Sequence, residues 1–291
     1  MMKLVTSTSN LAKRYGLKKA IEMLKDAGFD GYDCSLSLPM ADGGIFSADD
    51  YKEKAQEIRD YADTLNFPCL QTHTPSHASD IKGMTYFLAG VEKERRAVEI
   101  SGILGAEVAV VHPTSVTDAE GNHEMLYSKL LPTAKKYGVK IACENMFAWK
   151  EKPDTETVPT ACGTSREFVR YVDMAKDENF VACLDIGHSY LPNTEGAESM
   201  IAALGKSRLK ALHVNDNNMW DDEHVFPFFG KINWEPVCAS LAKIDYDGNF
   251  TFESDALLAK YPDELVTVCL ELLEKIGRYL ISRIEYYKSL K

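Results

Sequence analysis

Eight times along this 291-residue chain a short apolar run, rich in β-branched residues, is followed by a segment of helical periodicity. The runs are Lys3–Thr8, Gly31–Ser37, Pro68–Pro75, Glu107–His112, Val139–Asn145, Phe180–Asp185, Leu209–Asn215 and Asn249–Glu253. Each is close to continuously apolar rather than alternating, as expected of a strand buried on both faces of a parallel sheet. Between them the spacing predicts helices over Leu17–Ala27, about Ser47 to Asn66, Thr85–Leu104, Met125–Tyr137, about Thr164 to Asp177, Gly196–Leu204, Trp234–Ile244 and Asp263 to about Ser289. Several ends carry their own signals. Ser47 reads as a helix cap followed by Asp49 and Asp50, and Thr164 with Glu167 as a capping pair. Gly28, Gly105 and Gly138 stand where helices must stop.

Eight strand–helix units in one chain of this length predict an α/β fold, a (β/α)8 TIM barrel forming a single domain over residues 1–291. The rival is a doubly wound open sheet. No G-x-G-x-x-G or Walker-type loop follows any strand, which argues against it. Ala148–Gly163, with Pro153 and Pro159, is the longest irregular stretch. It follows the fifth strand and is a candidate lid over the active face.

A formal net charge of -11 argues against a nucleic-acid partner, since phosphate binding needs a basic face. No apolar run is long enough to cross a bilayer, and the first residues lack the apolar core of a secretion signal. The seven cysteines form no C-x-x-C pair and read as small buried hydrophobes of a cytoplasmic protein. The long last helix carries Tyr279, Ile281, Ile284 and Tyr287, which could cover the barrel bottom or make a homo-oligomer contact.

The strands also end alike. His73, His112, Glu144, Asp185, His213 and Glu253 each close an apolar run, with His188 three residues beyond Asp185. In a barrel the C-terminal ends of the strands share one face, where these groups would converge. A buried carboxylate needs a partner or a metal. Oxygen and imidazole donors together suit a divalent ion: Mn, Zn, Co or Mg. Asp222 and His224 form a further D-x-H pair in a loop. His77 and His123 read as ordinary loop histidines, and Lys231 as a surface lysine. Trp220, Phe226, Phe228 and Phe229 either wall the site or pack on their own barrel.

The segments Cys143-Glu144-Asn145, Leu184-Asp185-Ile186-Gly187-His188, Leu212-His213-Val214-Asn215-Asp216, Asp222-Glu223-His224 and Phe252-Glu253-Ser254 give the chain its resemblance to the xylose-isomerase-like TIM barrels. That superfamily holds sugar phosphate isomerases/epimerases and the type IV AP endonucleases. In the isomerase branch the resemblance implies one metal held by Glu144, Asp185, His213 and Glu253. Glu144 and Glu253 would be catalytic, moving a proton at carbon while the metal stabilises an enediolate. His188, His73 and His112 would bind a sugar or polyol substrate. In the endonuclease branch it implies three zinc ions, with His73, His112, His188, Asp222 and His224 as additional ligands. Ketose epimerases often place an Arg shortly after the ligand His of the seventh strand. Here Asp216-Asn217-Asn218 stands instead, which extends the expected substrates to keto-inositols and other polyols.

Overall fold

The structure is a computed structural model and describes residues 2–75, 84–114, 117–149 and 157–291. His77 lies outside the described residues. Eight parallel strands form the main sheet: β1 (Leu4–Ser7), β2 (Gly31–Ser35), β3 (Cys69–His73), β4 (Val108–Val111), β5 (Lys140–Glu144), β8 (Phe180–Asp185), β9 (Leu209–His213) and β10 (Phe250–Phe252). They are ordered β10-β1-β2-β3-β4-β5-β8-β9. The two ends of that order meet in a parallel bridge from Val214 to Phe252, carried by Val214 N–H to the Thr251 carbonyl oxygen at 2.9 Å. The fold is a (β/α)8 barrel.

Alternation along each strand divides the side chains between two environments. Residues such as Ala109, Val111, Ile141, Cys143, Leu184 and Leu212 face outward into one large core with the helices. Val108, Val110, Ala142, Val181, Cys183 and Ala211 form a separate cluster of small side chains that fills the lumen. A barrel this narrow leaves room only for small groups where facing strands converge.

The helical layer comprises α1 (Ser9–Tyr15), α2 (Leu17–Asp26), α3 (Tyr51–Thr64), α4 (Met84–Leu104), α5 (Ala119–Asn122), α6 (Ser128–Tyr137), α7 (Ser165–Met174), α8 (Ala197–Arg208), α9 (Trp234–Lys243) and α10 (Asp263–Ser289). The last helix lies so close to the sheet that a Cβ on Gly277 would stand 2.4 Å from Leu4 Cδ1 and 2.8 Å from Phe252 Cε2.

Four local expectations change. Ser47 does not cap α3: its hydroxyl donates to the Gly44 carbonyl oxygen, and the helix starts after Asp50. The helix expected from Met125 begins as α6 only at Ser128; its first residues belong to a π-helix over His123–Tyr127. Helix α1 was hidden because its seven residues are too few to show a period. Finally, Ala148–Gly163 is not simply irregular. Its described residues contribute to an antiparallel pair, β6 (Met146–Trp149) with β7 (Thr157–Ala161). This pair is tied to the loop after β9, where Thr157 Oγ1 donates to the Trp220 carbonyl oxygen at 3.3 Å. Thr164 does cap α7, its hydroxyl accepting from Glu167 N–H at 3.2 Å.

Candidate metal centre and active site

The barrel's alternation builds the site directly. Two residues beyond the lumen-facing Val110, Ala142, Cys183 and Ala211 come His112, Glu144, Asp185 and His213. Gln71 and Thr251, joined by a hydrogen bond of 3.3 Å inside the barrel, are followed at the same spacing by His73 and Glu253. A period of two therefore carries one face of each strand up to the mouth, where the polar groups gather. Candidate ligand atoms of Glu144, Asp185, His213 and Glu253 lie within 4.8 Å of one another. The same limit holds within His73, His112 and Glu144, and within His188, Asp222 and His224. All nine residues singled out in the sequence are thus brought to one place.

The loop after β9 supplies Asp222 and His224, and Asp216 shapes it. The Asp216 carboxylate accepts from the N–H groups of Asn217 (2.8 Å), Phe228 (2.9 Å) and Ile232 (3.0 Å) and from the Trp234 indole (3.0 Å). Gly230 is required here, because a Cβ would fall 2.2 Å from Asp216 Oδ1 and 2.4 Å from the Asn217 carbonyl oxygen. Asn217 Nδ2 donates to the Gly187 carbonyl oxygen at 2.9 Å. Asp216 and Asn217, where ketose epimerases often place a substrate-binding Arg nearby, are therefore framework.

A carbonyl oxygen can only accept, so a ring nitrogen bonded to one must carry the proton. His73 Nδ1 donates to the Thr74 carbonyl oxygen (2.8 Å), His188 Nδ1 to that of Asn145 (2.8 Å) and His224 Nδ1 to that of Glu253 (2.7 Å). In each neutral ring the Nε2 lone pair then faces the site. His112 Nε2 and His73 Nε2 are 3.0 Å apart, and His224 Nε2 is 2.9 Å from Asp222 Oδ2. His213 is turned the other way, its Nδ1 3.2 Å from Glu144 Oε1 and 3.1 Å from Glu253 Oε2.

Charge in the site is strongly coupled. Burial lowers the His73 and His188 imidazolium, but for His73 the Glu144 and Glu253 carboxylates more than offset it, to about 9. For His188, Asp185 and Asp222 do the same, to about 10. His112 is lowered, burial outweighing Glu144. Burial raises Asp185 to about 6. Glu144 is held well below the usual carboxylate range: burial opposes ionisation, but His213 and His112 favour it more. Cys183 lies beside Glu144 and His213, but burial raises its thiol to about 12, so it stays a thiol.

Three acidic side chains share one site, Glu144 and Asp185 fully buried and Glu253 partly so. Among the described residues, Glu144 Oε2, both His213 ring nitrogens and Asp222 Oδ1 are buried without a hydrogen bond of good geometry, although Glu144 Oε2 is 3.1 Å from His112 Nε2. Like charges and unsatisfied donors cost folding energy unless something neutralises them. A divalent cation on this oxygen–nitrogen donor set fits that need.

Several supporting residues were not singled out in the sequence. Asn145 accepts from Asp185 N–H (2.8 Å), and Asn215 Nδ2 donates to Asp185 Oδ2 (2.8 Å). Asp33, a carboxylate in the middle of β2, was the readable signal that was missed. It accepts from Gln71 Nε2 (3.1 Å), and burial raises it to about 6. His123 is remote from the ligand groups, its Nε2 on the Tyr171 carbonyl oxygen at 2.8 Å. Lys231 is exposed. Phe226 is buried in the core, while Trp220, Phe228 and Phe229 are about half exposed. Phe228 leans on Tyr279 of α10, with ring centroids 6.0 Å apart.

Residues 21–269 match the sequence profile of the xylose isomerase-like TIM barrel family. The chain belongs to that family. It is 32% identical over 204 residues to Uncharacterized protein MJ1311 of Methanocaldococcus jannaschii, a match spanning 64% of this chain and 64% of that relative's length. Among solved structures, a D-tagatose 3-epimerase-like protein is 22% identical with a TM-score of 0.66, covering 94% of this chain and 99% of its own. D-Psicose 3-epimerase from Clostridium cellulolyticum H10, solved with D-tagatose, is 16% identical with a TM-score of 0.70, covering 96% and 99%. Identities this low speak for the shared fold. No helix among the described residues is long and apolar enough to cross a membrane.

Proposed function

We propose that this barrel is a divalent-cation-dependent isomerase or epimerase acting on a small sugar or polyol. The observation that carries the reading is the pair of glutamates on one imidazole: Glu144 from β5 and Glu253 beyond β10, 3.2 and 3.1 Å from His213 Nδ1. Glu144, Asp185, His213 and Glu253 would hold the cation. When bound, it would supply Lewis-acid polarisation of substrate oxygens.

The proton chemistry belongs to the side chains. One glutamate, ionised, takes the proton from the carbon next to the carbonyl, and the other delivers a proton to the opposite face. The configuration at that carbon inverts and the two carboxyls exchange protonation states. His73 and His112, beside Glu144, and His188, near both Glu144 and Asp222, would hold substrate hydroxyls. Structural neighbours that are a D-tagatose 3-epimerase-like protein and a D-psicose 3-epimerase support this class of substrate. The test is a panel of ketoses and keto-inositols incubated in D2O and followed by NMR. Deuterium should enter at the inverted carbon with native protein, and turnover should fall about 10²–10⁴-fold in Glu144→Gln and Glu253→Gln. Full activity in either variant would remove that glutamate from proton transfer.

One observation favours a second reading, a multinuclear zinc phosphodiesterase of the type IV AP endonuclease kind. Two further ligand triplets, His73–His112–Glu144 and His188–Asp222–His224, flank the four-residue group. Nicking of abasic-site DNA, abolished by chelator, would establish it. No cleavage at micromolar protein would reject it.

A further inference from the structure

His73, His188 and His224 each have a backbone carbonyl that fixes the ring and its tautomer. His213 has none. Its Nδ1 faces the Glu144 and Glu253 carboxylates, so a ligating lone pair on Nδ1 requires the proton on Nε2. The carboxylate facing that nitrogen is Asp33, with Oδ2 at 3.9 Å. Asp33 is buried, and its Oδ1 has no hydrogen-bond partner among the described residues. It does not stand alone. Gln71 Nε2 donates to Asp33 Oδ2 at 3.1 Å, and Thr251 Oγ1 donates to Gln71 Oε1 at 3.3 Å. Strands β2 and β3 and, beyond β1, β10 thus contribute a polar chain to a lumen that also holds Val108, Val110, Ala142, Val181, Cys183 and Ala211. An unpaired carboxylate at that depth costs folding energy, and the hydrogen-bond chain holds it toward one imidazole. The Cys183 thiol also lies near His213, but sulfur is a weak acceptor.

We infer that Asp33 is a positioning residue: its carboxylate, beyond hydrogen-bond length but within ion-pair range of His213 Nε2, favours the proton on that nitrogen and leaves Nδ1 free to ligate the cation, with Gln71 and Thr251 holding Asp33 in place. The inference rests on the cation-site reading above. Outer hydrogen-bond partners of ligating histidines orient the ring and raise its basicity, and their loss commonly weakens metal binding about 10–100-fold.

The experiment titrates metal-free protein with Co²⁺ and Mn²⁺, using native protein, Asp33→Asn and Gln71→Met, and follows ¹⁵N-histidine spectra of the Zn²⁺-loaded forms. Native protein should bind the ions, and His213, assigned by its loss in His213→Asn, should show a protonated Nε2. Asp33→Asn should lower affinity about 10-fold or more and shift or broaden the Nε2–H resonance. Gln71→Met, which leaves the carboxylate in place, should produce a smaller loss in the same direction, and it carries the test if Asp33→Asn does not fold. Native binding with unchanged affinity and an unchanged His213 signal in the variants overturns the role of Asp33. No binding by native protein overturns the cation-site reading itself, and with it this inference.

Discussion

His112 Nε2 and His73 Nε2 stand 3.0 Å apart, and the His73 ring is fixed by its Nδ1–H on the Thr74 carbonyl oxygen. With both rings neutral, and His112 protonated on Nδ1, two lone pairs would point at one spot beside Glu144 Oε2. A proton, a substrate hydroxyl or a cation placed there relieves the repulsion. On the sugar reading the occupant is a hydroxyl. His112→Ala should then raise KM about 10-fold or more, with the ion content per chain unchanged. Steady-state kinetics alongside metal analysis make the check. A lost ion with an unchanged KM would favour the second reading.

Asp216 holds the loop that presents Asp222 and His224 through four hydrogen bonds, from Asn217, Phe228, Ile232 and Trp234. Removing the acceptor leaves buried donors unsatisfied, a cost of about 1–3 kcal/mol for each that finds no new partner. Asp216→Ala should therefore destabilise the fold by roughly 3–5 kcal/mol in urea unfolding. Asp216→Asn, which keeps one carbonyl oxygen, should cost less. Equal stability of native protein and the alanine variant would contradict the structural assignment.

Glu99 gives the clearest pH dependence away from the site. Burial raises its carboxyl, but Lys52 (2.7 Å), Tyr137 and Tyr51 (2.7 Å) bring it down to about 2. A folded value below the ordinary 4.5 means that the unfolded chain binds the proton first as pH falls. The stabilisation is complete above 4.5 and is lost as pH falls from there through about 2. Glu99→Gln should lower unfolding free energy by roughly 2 kcal/mol at pH 7, discounted because Lys52 is half exposed, and by far less near pH 2. Parallel stability curves for native and variant protein across that range would contradict it.

Gly277 lets α10 approach β1 and β10, and its Cβ position is already occupied by Leu4 and Phe252 side-chain atoms. Alanine would gain about 1 kcal/mol of helix propensity but overpack a well-filled interface, at a cost of about 1–3 kcal/mol. Gly277→Ala should lower the melting temperature. A rise would mean that the helix relaxes away from the sheet without penalty.

The barrel was legible because every strand carries the same two signals, a both-faces-apolar run and a helical segment after it. Phe180–Asp185 is observed with the bounds read from sequence, because its flanking breaks are sharp. The site was legible for the same reason. Glu144, Asp185 and His213 are polar residues at the ends of apolar runs, a placement that burial penalises without a partner. What was missed lacks a local signal. The β6–β7 pairing joins two segments that are not contiguous in sequence. The π-turn at His123–Tyr127 runs directly into α6, and its five residues are too few to show a period of their own. Asp216 looked like a departure in a substrate-binding segment, and only the fold of the loop back onto it reveals four donors.

Glu144, Asp185, His213 and Glu253 together form the proposed cation site. Metal content per chain, measured by mass spectrometry on native protein and Asp185→Asn purified without added metal or chelator, tests it most directly. Native protein should carry about one divalent ion per chain, with a large loss in the variant. No ion in native protein, even after incubation with Mn²⁺, Co²⁺ or Zn²⁺ and desalting, would contradict it.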